Sequence, residues 1–374
     1  MNNKKILVLG GYGNFGKRIV EDLSSIKDLT IIIAGRNLKK AQDLANSLMG
    51  SAEAQLIALS MDINSETLDR QLCNLSPFLV IHTSGPFQGQ NHRVPLACIQ
   101  AGSHYIDLAD DSSFVCGIEK LNLRAEENKL LVVSGASSVP GLSSAVLDHY
   151  KKEFTRIDSI DIAIAPGNKA ERGEATVRGV LSYIGKPFPS FNKGIDTHSY
   201  GWMNIRRLNF GGIIGKRWLA NVDVPDLSIY PTRYNVQDSV TFQAGLELPA
   251  LHISMYIMAW LSKLNLFKSW HKLTKPIVLM SNLLSIFGTD KGAMRISIIG
   301  KDNEGKKTAT WTLFADNGVG PYIPTISAII IARKLIANEI KMVGATPCLG
   351  IYQLYEFVPY IKKFELTTQV TTNG

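Results

Sequence analysis

Charge is scarce in this chain: only 19% of its 374 residues are Asp, Glu, Lys or Arg, against 45% hydrophobic ones. Such a composition, with 31 Gly and 15 Pro scattered along the chain, excludes a disordered, collagen-like or coiled-coil protein. Cysteine is scarcer still. The four present (Cys73, Cys98, Cys116 and Cys348) show no CxxC spacing and lie too far apart for a disulfide framework or a zinc site, so a reducing cytosol is expected. Long apolar runs are missing as well. Ile6–Leu9, after the basic start, is far shorter than a signal-peptide core, and Leu246–Leu261 falls short of the roughly 20 residues that a bilayer-spanning helix needs. No HExxH occurs and the seven His are dispersed, so no metal is expected; GxSxG breaks at Val139, which removes a nucleophile elbow. Basic residues interleaved with aromatics on a nucleic-acid module are absent too, and no nucleic-acid partner is expected.

What is present has a direction along the chain. The net charge of +8 divides into −1 over residues 1–133, +7 over 134–300 and +2 over 301–374. A basic middle segment suits an acidic small molecule, a phosphate-rich cofactor or an anionic membrane, or is simply solvated.

A chain this long implies two domains. The first third alternates β-branched runs with helical patterns, the mark of βαβ units. Strands are predicted at Lys5–Leu9, Leu29–Ala34, Gln55–Met61, Phe78–Thr83, His104–Leu108 and Leu130–Ser134. Helices are predicted at Asn14–Leu23, Leu38–Leu48, Ser65–Leu75, Asn91–Ala101 and Ser113–Asn128. The expected fold class is α/β: a doubly wound Rossmann domain at 1–152, then an α+β substrate domain with a mixed or antiparallel sheet at 153–318. A helix is read at Gly141–Lys151, followed in the second domain by a strand at Ile157–Ala165 and a hairpin from Arg295–Gly300 and Lys307–Phe314, whose alternation predicts a half-exposed sheet. The apolar stretches Leu246–Leu261 and Ile277–Phe287 read as buried helices, although Lys263, Lys268, Lys272 and Lys275 between them leave peripheral membrane contact through 246–288 open.

After the first strand comes Gly10-Gly11-Tyr12-Gly13-Asn14-Phe15-Gly16-Lys17, a glycine turn at a helix N-terminus. Backbone N–H groups unhindered by Cβ atoms can there approach a pyrophosphate, whose charge the helix dipole favours. Read as GxxxxGK the same run would be a phosphate loop of a nucleotide hydrolase, but Arg18 stands where that loop needs Ser or Thr for magnesium. Arg36, 20 residues beyond Gly16 and followed by Asn37, Lys39 and Lys40, replaces the acidic residue that would bind a free ribose 2′-hydroxyl, and so favours NADP (NADPH). Asp62 ends the third strand near the expected adenine, and Ser84-Gly85-Pro86 turns beside the expected nicotinamide.

These residues, with Ala34-Gly35-Arg36, Gly85-Pro86-Phe87, Ala97–Gly102 before His104–Leu108, and Ser138-Val139-Pro140-Gly141, resemble the saccharopine dehydrogenase-like reductases. Gly320-Pro321-Tyr322, the helix through Ala332 and Ala345-Thr346-Pro347 resemble that family's ending. The resemblance implies NADP, hydride transfer and a tail (319–374) whose helices return to the first domain. It is loose over the middle of the chain, so the substrate stays open, an acidic or lipid-like small molecule included.

Candidate proton carriers are Asp107, at the carboxyl end of the fifth strand, Asp110 after it, and His92, read as facing the cleft; Asp107 as a loop anchor and Asp111 as a helix cap are the alternatives. Arg172 and Arg178 are candidates to grip a substrate anion, unless they pair with Glu171 or Glu174. The functional expectation is a cytosolic NADP-dependent oxidoreductase acting on a small molecule. A dinucleotide-binding scaffold or sensor, membrane-associated or not, is the alternative, and a homodimer is left open.

Overall fold

Aliphatic runs without polar alternation need a sheet covered on both faces. Ile6–Leu9 is such a run, and in the computed structural model it forms most of β1 (Lys4–Leu9), each of its four side chains at most 1% exposed. The structure describes residues 3–171, 173–267 and 269–373. Arg172 and Lys268, singled out above, therefore lie outside the described residues.

Units of the same kind follow: α1 (Asn14–Leu23), β2 (Leu29–Gly35), α2 (Leu38–Leu48), β3 (Gln55–Ser60), α3 (Leu68–Leu75), β4 (Leu79–His82), α4 (Arg93–Gln100), β5 (His104–Asp107), α5 (Ser112–Gly117), α6 (Asn122–Glu127) and β6 (Leu131–Ser134). Every strand pair is parallel, in the order β6-β5-β4-β1-β2-β3, so the winding reverses between β1 and β4. The helix expected over Ser113–Asn128 is broken: a 3₁₀ turn at Ile118–Leu121 separates α5 from α6. The break follows Gly117, where the His92 ring occupies the place of a side chain.

The second unit starts at Ser143. The helix expected from Gly141 begins there as α7 (Ser143–Tyr150), because one wide turn at Ser138–Leu142 comes first, with Val139 extended and Pro140 lacking an N–H to donate. Its further elements are β7 (Arg156–Ala165), α8 (Glu174–Ser182), β8 (Pro187–Asn192), β9 (Ile195–Tyr200), β10 (Arg206–Asn209), β11 (Lys216–Asn221), α9 (Asp226–Arg233), β12 (Ser239–Ala244), α10 (Pro249–Lys263), α11 (Thr274–Leu283), β13 (Gly292–Lys301) and β14 (Lys306–Ala315). The chain then supplies α12 (Ile323–Ile336) and β15 (Gly344–Pro347), and ends with α13 (Leu354–Lys363) and β16 (Thr367–Asn373). The first unit takes up Tyr322–Tyr352; the stretch from Gln353 groups with the second unit, so only the earlier part of the tail joins the nucleotide-binding fold. There β15 pairs in parallel with β6 as a seventh strand, while α12 packs on α1 and Arg333 ties to Asp22 through Nε (2.8 Å).

A nine-stranded sheet forms the second unit, ordered β10-β11-β12-β7-β13-β14-β16, with β8 attached to β12 and β9 to β8; of these pairs only β12–β7 is parallel. The β13–β14 hairpin pairs Ile296 with Trp311. Two expectations fail here. The alternating stretch of β14 is buried on both sides, Thr310 and Thr312 included, because the Thr310 hydroxyl finds a partner in Ser297 Oγ (2.9 Å). The helices expected to be buried are not: α10 packs one side on β11 and buries only His252, Met255 and Ala259, while α11 packs on α8 and buries only Thr274. Helices apolar all round, covered on one side only, must leave the other apolar side in solvent.

Candidate functional site: the carboxyl edge of the parallel sheet

The carboxyl ends of β1, β2, β4 and β5 meet where the winding reverses, the place at which an open α/β sheet binds its ligand. After β1, the Gly10 and Gly11 N–H groups both donate to Ala34 O (2.8 and 3.1 Å), folding the loop across the end of β2. Gly10 has φ +76°, and a side chain on it would strike the Thr83 and Ser84 hydroxyls. A Cβ on Gly16 would collide with Gly10 O, so α1 comes as near to the loop as backbone permits. Gly13 is the N-cap of α1, no side chain caps the helix, and Gly13 N–H itself donates to Gly10 O (2.8 Å). The helix N-terminus thus keeps its positive end for an anion. Asn14 turns its side chain to Arg18, and the Phe15 side chain is half-buried.

At the end of β2, the Tyr12 ring lies against Gly35 and its hydroxyl accepts from Asn37 N–H (2.9 Å). The Asn37 side chain caps α2 by accepting from Lys40 N–H (3.0 Å). Arg36 is exposed, and among the described residues no acid pairs with it. Asp62 follows β3 half-buried, accepting from Asn64 N–H (3.0 Å).

The loop after β4 is fastened twice, in ways that the sequence reading missed. Thr83 Oγ1 donates to Leu9 O (2.9 Å) and lies 3.1 Å from Gly10 O, binding the end of β4 to the glycine turn. Gln90 Nε2 donates to Ser84 O (2.9 Å) and Pro86 O (2.8 Å) across the cis Gly85–Pro86 bond, holding Ser84, Gly85 and Pro86 in one shape. Thr83 was open to detection, since it directly follows a strand paired with β1; nothing local marks Gln90.

At the end of β5 the candidates separate. Asp107 is fully buried, and its Oδ1 accepts from Ala109 N–H (2.9 Å), Ser134 Oγ (3.0 Å) and Gly135 N–H (2.8 Å). It ties β5 to the loop after β6, as an anchor does. Burial pushes its carboxyl up to about 6 in spite of those donors. His82, its register partner on β4, is also fully buried, with Nδ1 2.9 Å from the Tyr105 hydroxyl, and burial lowers it to about 3, which keeps it neutral. His92 does not face a cleft: its Nε2–H donates to Phe114 O (2.8 Å) and its ring lies against Phe114 (centroids 4.7 Å apart). Asp111 caps α5 (Phe114 N–H, 2.8 Å). Asp110 stays half-buried at the edge, accepting from Gln88 Nε2 (3.1 Å), with burial raising its carboxyl. In the second unit, Arg178 pairs with Glu174 on the surface of α8 (2.8 Å). Among the described residues no three His, Cys, Asp or Glu are placed to hold a metal ion.

Comparison with known proteins singles out the same region. Residues 6–133 match the family model described as the saccharopine dehydrogenase NADP binding domain. A probable mitochondrial saccharopine dehydrogenase-like oxidoreductase of Arabidopsis thaliana is 29% identical over 150 residues, covering 36% of this chain and 32% of that protein, so the match spans about a third of the relative's length. Among solved structures, a saccharopine dehydrogenase (L-Glu forming) from Saccharomyces cerevisiae superposes with a TM-score of 0.68 at 14% identity, over 99% of this chain and all of the other. An amine dehydrogenase from Mycobacterium smegmatis is a looser likeness, at a TM-score of 0.47 and 11% identity over 93% of this chain and 95% of that one. The yeast likeness shows a fold shared across both units, and residues 6–133 are similar in sequence to the saccharopine dehydrogenase NADP binding domain.

Proposed function

We propose that this chain is an NADP-dependent oxidoreductase of the saccharopine dehydrogenase-like type, acting on a small molecule that is not saccharopine by necessity. The observation that carries the proposal is the uncapped α1 behind a glycine turn, with an exposed Arg36 beside it that no described acid neutralises. Gly10–Gly16 would hold the pyrophosphate on backbone N–H groups, and Arg36 would meet the 2′-phosphate. When bound, the cofactor supplies or takes up hydride. The loop held by Thr83 and Gln90 would keep the nicotinamide end in place, and Asp110, at the edge beside Gln88 with its carboxyl raised by burial, would be the candidate proton carrier.

Fluorescence titration tests the reading. NADPH should bind at micromolar levels, and Arg36→Asp should weaken NADPH roughly 10- to 100-fold while leaving NADH unchanged, the loss expected for one charge-assisted contact. If neither nucleotide binds, the proposal is lost. A second reading, a dinucleotide-binding sensor without turnover, is favoured by the commitment of Asp107 and His92 to structural bonds. Tight NADPH binding without NADPH oxidation across a panel of imines, ketones and enoyl compounds would favour it.

A further inference from the structure

Two helices of the second unit hold large apolar side chains in solvent. Ile257, Trp260 and Leu264 recur at helical spacing along α10, and Leu279, Leu283 and Phe287 along α11 and the turn after it; all six are between 40% and 71% exposed. Single exposed hydrophobic residues need no explanation, but two helix faces of them in one segment do.

Charge in the same segment is one-sided. Between Glu247 and Asp290 there is no acid at all, where the chain's average of 32 in 374 would place three or four. Four lysines (263, 268, 272 and 275) stand there instead, more than half of the +7 of residues 134–300. Lys263 Nζ is held over the rings of Tyr200 (4.1 Å) and Trp260 (5.4 Å), at the margin of the apolar face. Trp270 lies nearby in sequence, with its Nε1–H donating to Ser262 Oγ (2.7 Å). Tryptophan and lysine bordering exposed aliphatic side chains match the boundary between lipid chains and anionic headgroups.

We infer that α10 and α11, with Lys263, Lys272 and Lys275 about their facing ends, dock on the surface of an anionic bilayer. The apolar side chains enter the headgroup boundary and the lysines lie on the lipid phosphates. Among the described residues no helix is long and apolar enough to cross a membrane, so the contact is peripheral. A second copy of this chain is a poorer occupant. A two-fold pairing through this face would bring lysines against lysines, with no acid in the segment to answer them.

Flotation of the full chain with vesicles decides the matter. Vesicles of phosphatidylcholine with phosphatidylglycerol should carry the protein up, phosphatidylcholine alone should carry far less, and added salt should release it. Lys272→Glu with Lys275→Glu should reduce partition roughly 25-fold or more, at about fivefold for each lysine near an anionic surface. Ile257→Asp with Phe287→Asp, both at exposed positions, should abolish flotation while leaving the circular-dichroism melt in place. Failure of the unaltered protein to float, or equal flotation of these variants, overturns the inference. So does a concentration-dependent dimer in light scattering that Ile257→Asp converts to monomer in a protein that does not float. None of these outcomes depends on whether NADPH binds.

Discussion

The two compact units treat their apolar residues and buried carboxylates differently. In the first, β1, β4 and β6 are covered on both faces, and its buried Asp107 meets three donors that join two strand ends. In the second, two helices hold apolar faces in water, and its fully buried Asp226 has the Ser143 hydroxyl (2.6 Å) and the nearby Tyr230 hydroxyl, with no cation on it among the described residues. Burial pushes both carboxyls up, Asp226 to about 7 and Asp107 to about 6. An acid fastened between two strand ends belongs to a frame suited to holding a cofactor in one geometry. A unit with unanswered surface and a poorly solvated acid has chemistry to spare for partners and substrate.

The contrast can be tested at three places. The largest effect is expected at Asp226. Its folded pKa of about 7 lies above the usual carboxyl value of about 3.9, so the stability contributed by the neutral form is complete below about pH 4 and is lost as pH rises through 7. Denaturant titrations across that window should show the protein losing up to about 4 kcal/mol from this group, and Asp226→Asn should remove that loss. A wild-type profile no steeper than the variant's would mean that burial does not raise Asp226. Next comes Gly16→Ala, where the new methyl meets Gly10 O. It should lower stability by about 1–3 kcal/mol and abolish NADPH binding in the same titration, whereas an unchanged melt would show that the turn has slack. Smallest is Thr83→Val, which leaves Leu9 O with only the Thr83 N–H and should lower the unfolding free energy by about 1 kcal/mol.

Much of the first unit was legible in the residues because its signals are local. Gly13 before Asn14 and Asn37 before Leu38 mark helix starts, and α1 and α2 occupy the expected ranges Asn14–Leu23 and Leu38–Leu48. The glycine turn and Arg36 were legible for the same reason: both follow a strand end directly. What failed depended on partners distant in sequence. His92 reads as facing a cleft, but its Nε2–H donates to Phe114 O, and the helix over 113–128 reads as continuous until the His92 ring occupies the space at Gly117. Thr310 and Thr312 read as a wet face but are buried, and the Thr310 hydroxyl is met by that of Ser297 on the neighbouring strand. On α10 and α11, hydropathy told how apolar the segments are but not how many sides would be covered.

Gly344–Pro347 carries no strand pattern of its own, yet as β15 it covers the open edge of β6. Its place in the chain has a consequence for biosynthesis. A ribosome releases residues 1–142 early, and their sheet then waits, one edge unpaired, while some two hundred further residues are made before the closing strand emerges. The nucleotide-binding unit is therefore finished late, and a fragment ending at residue 142 would expose an edge ready to pair with other chains.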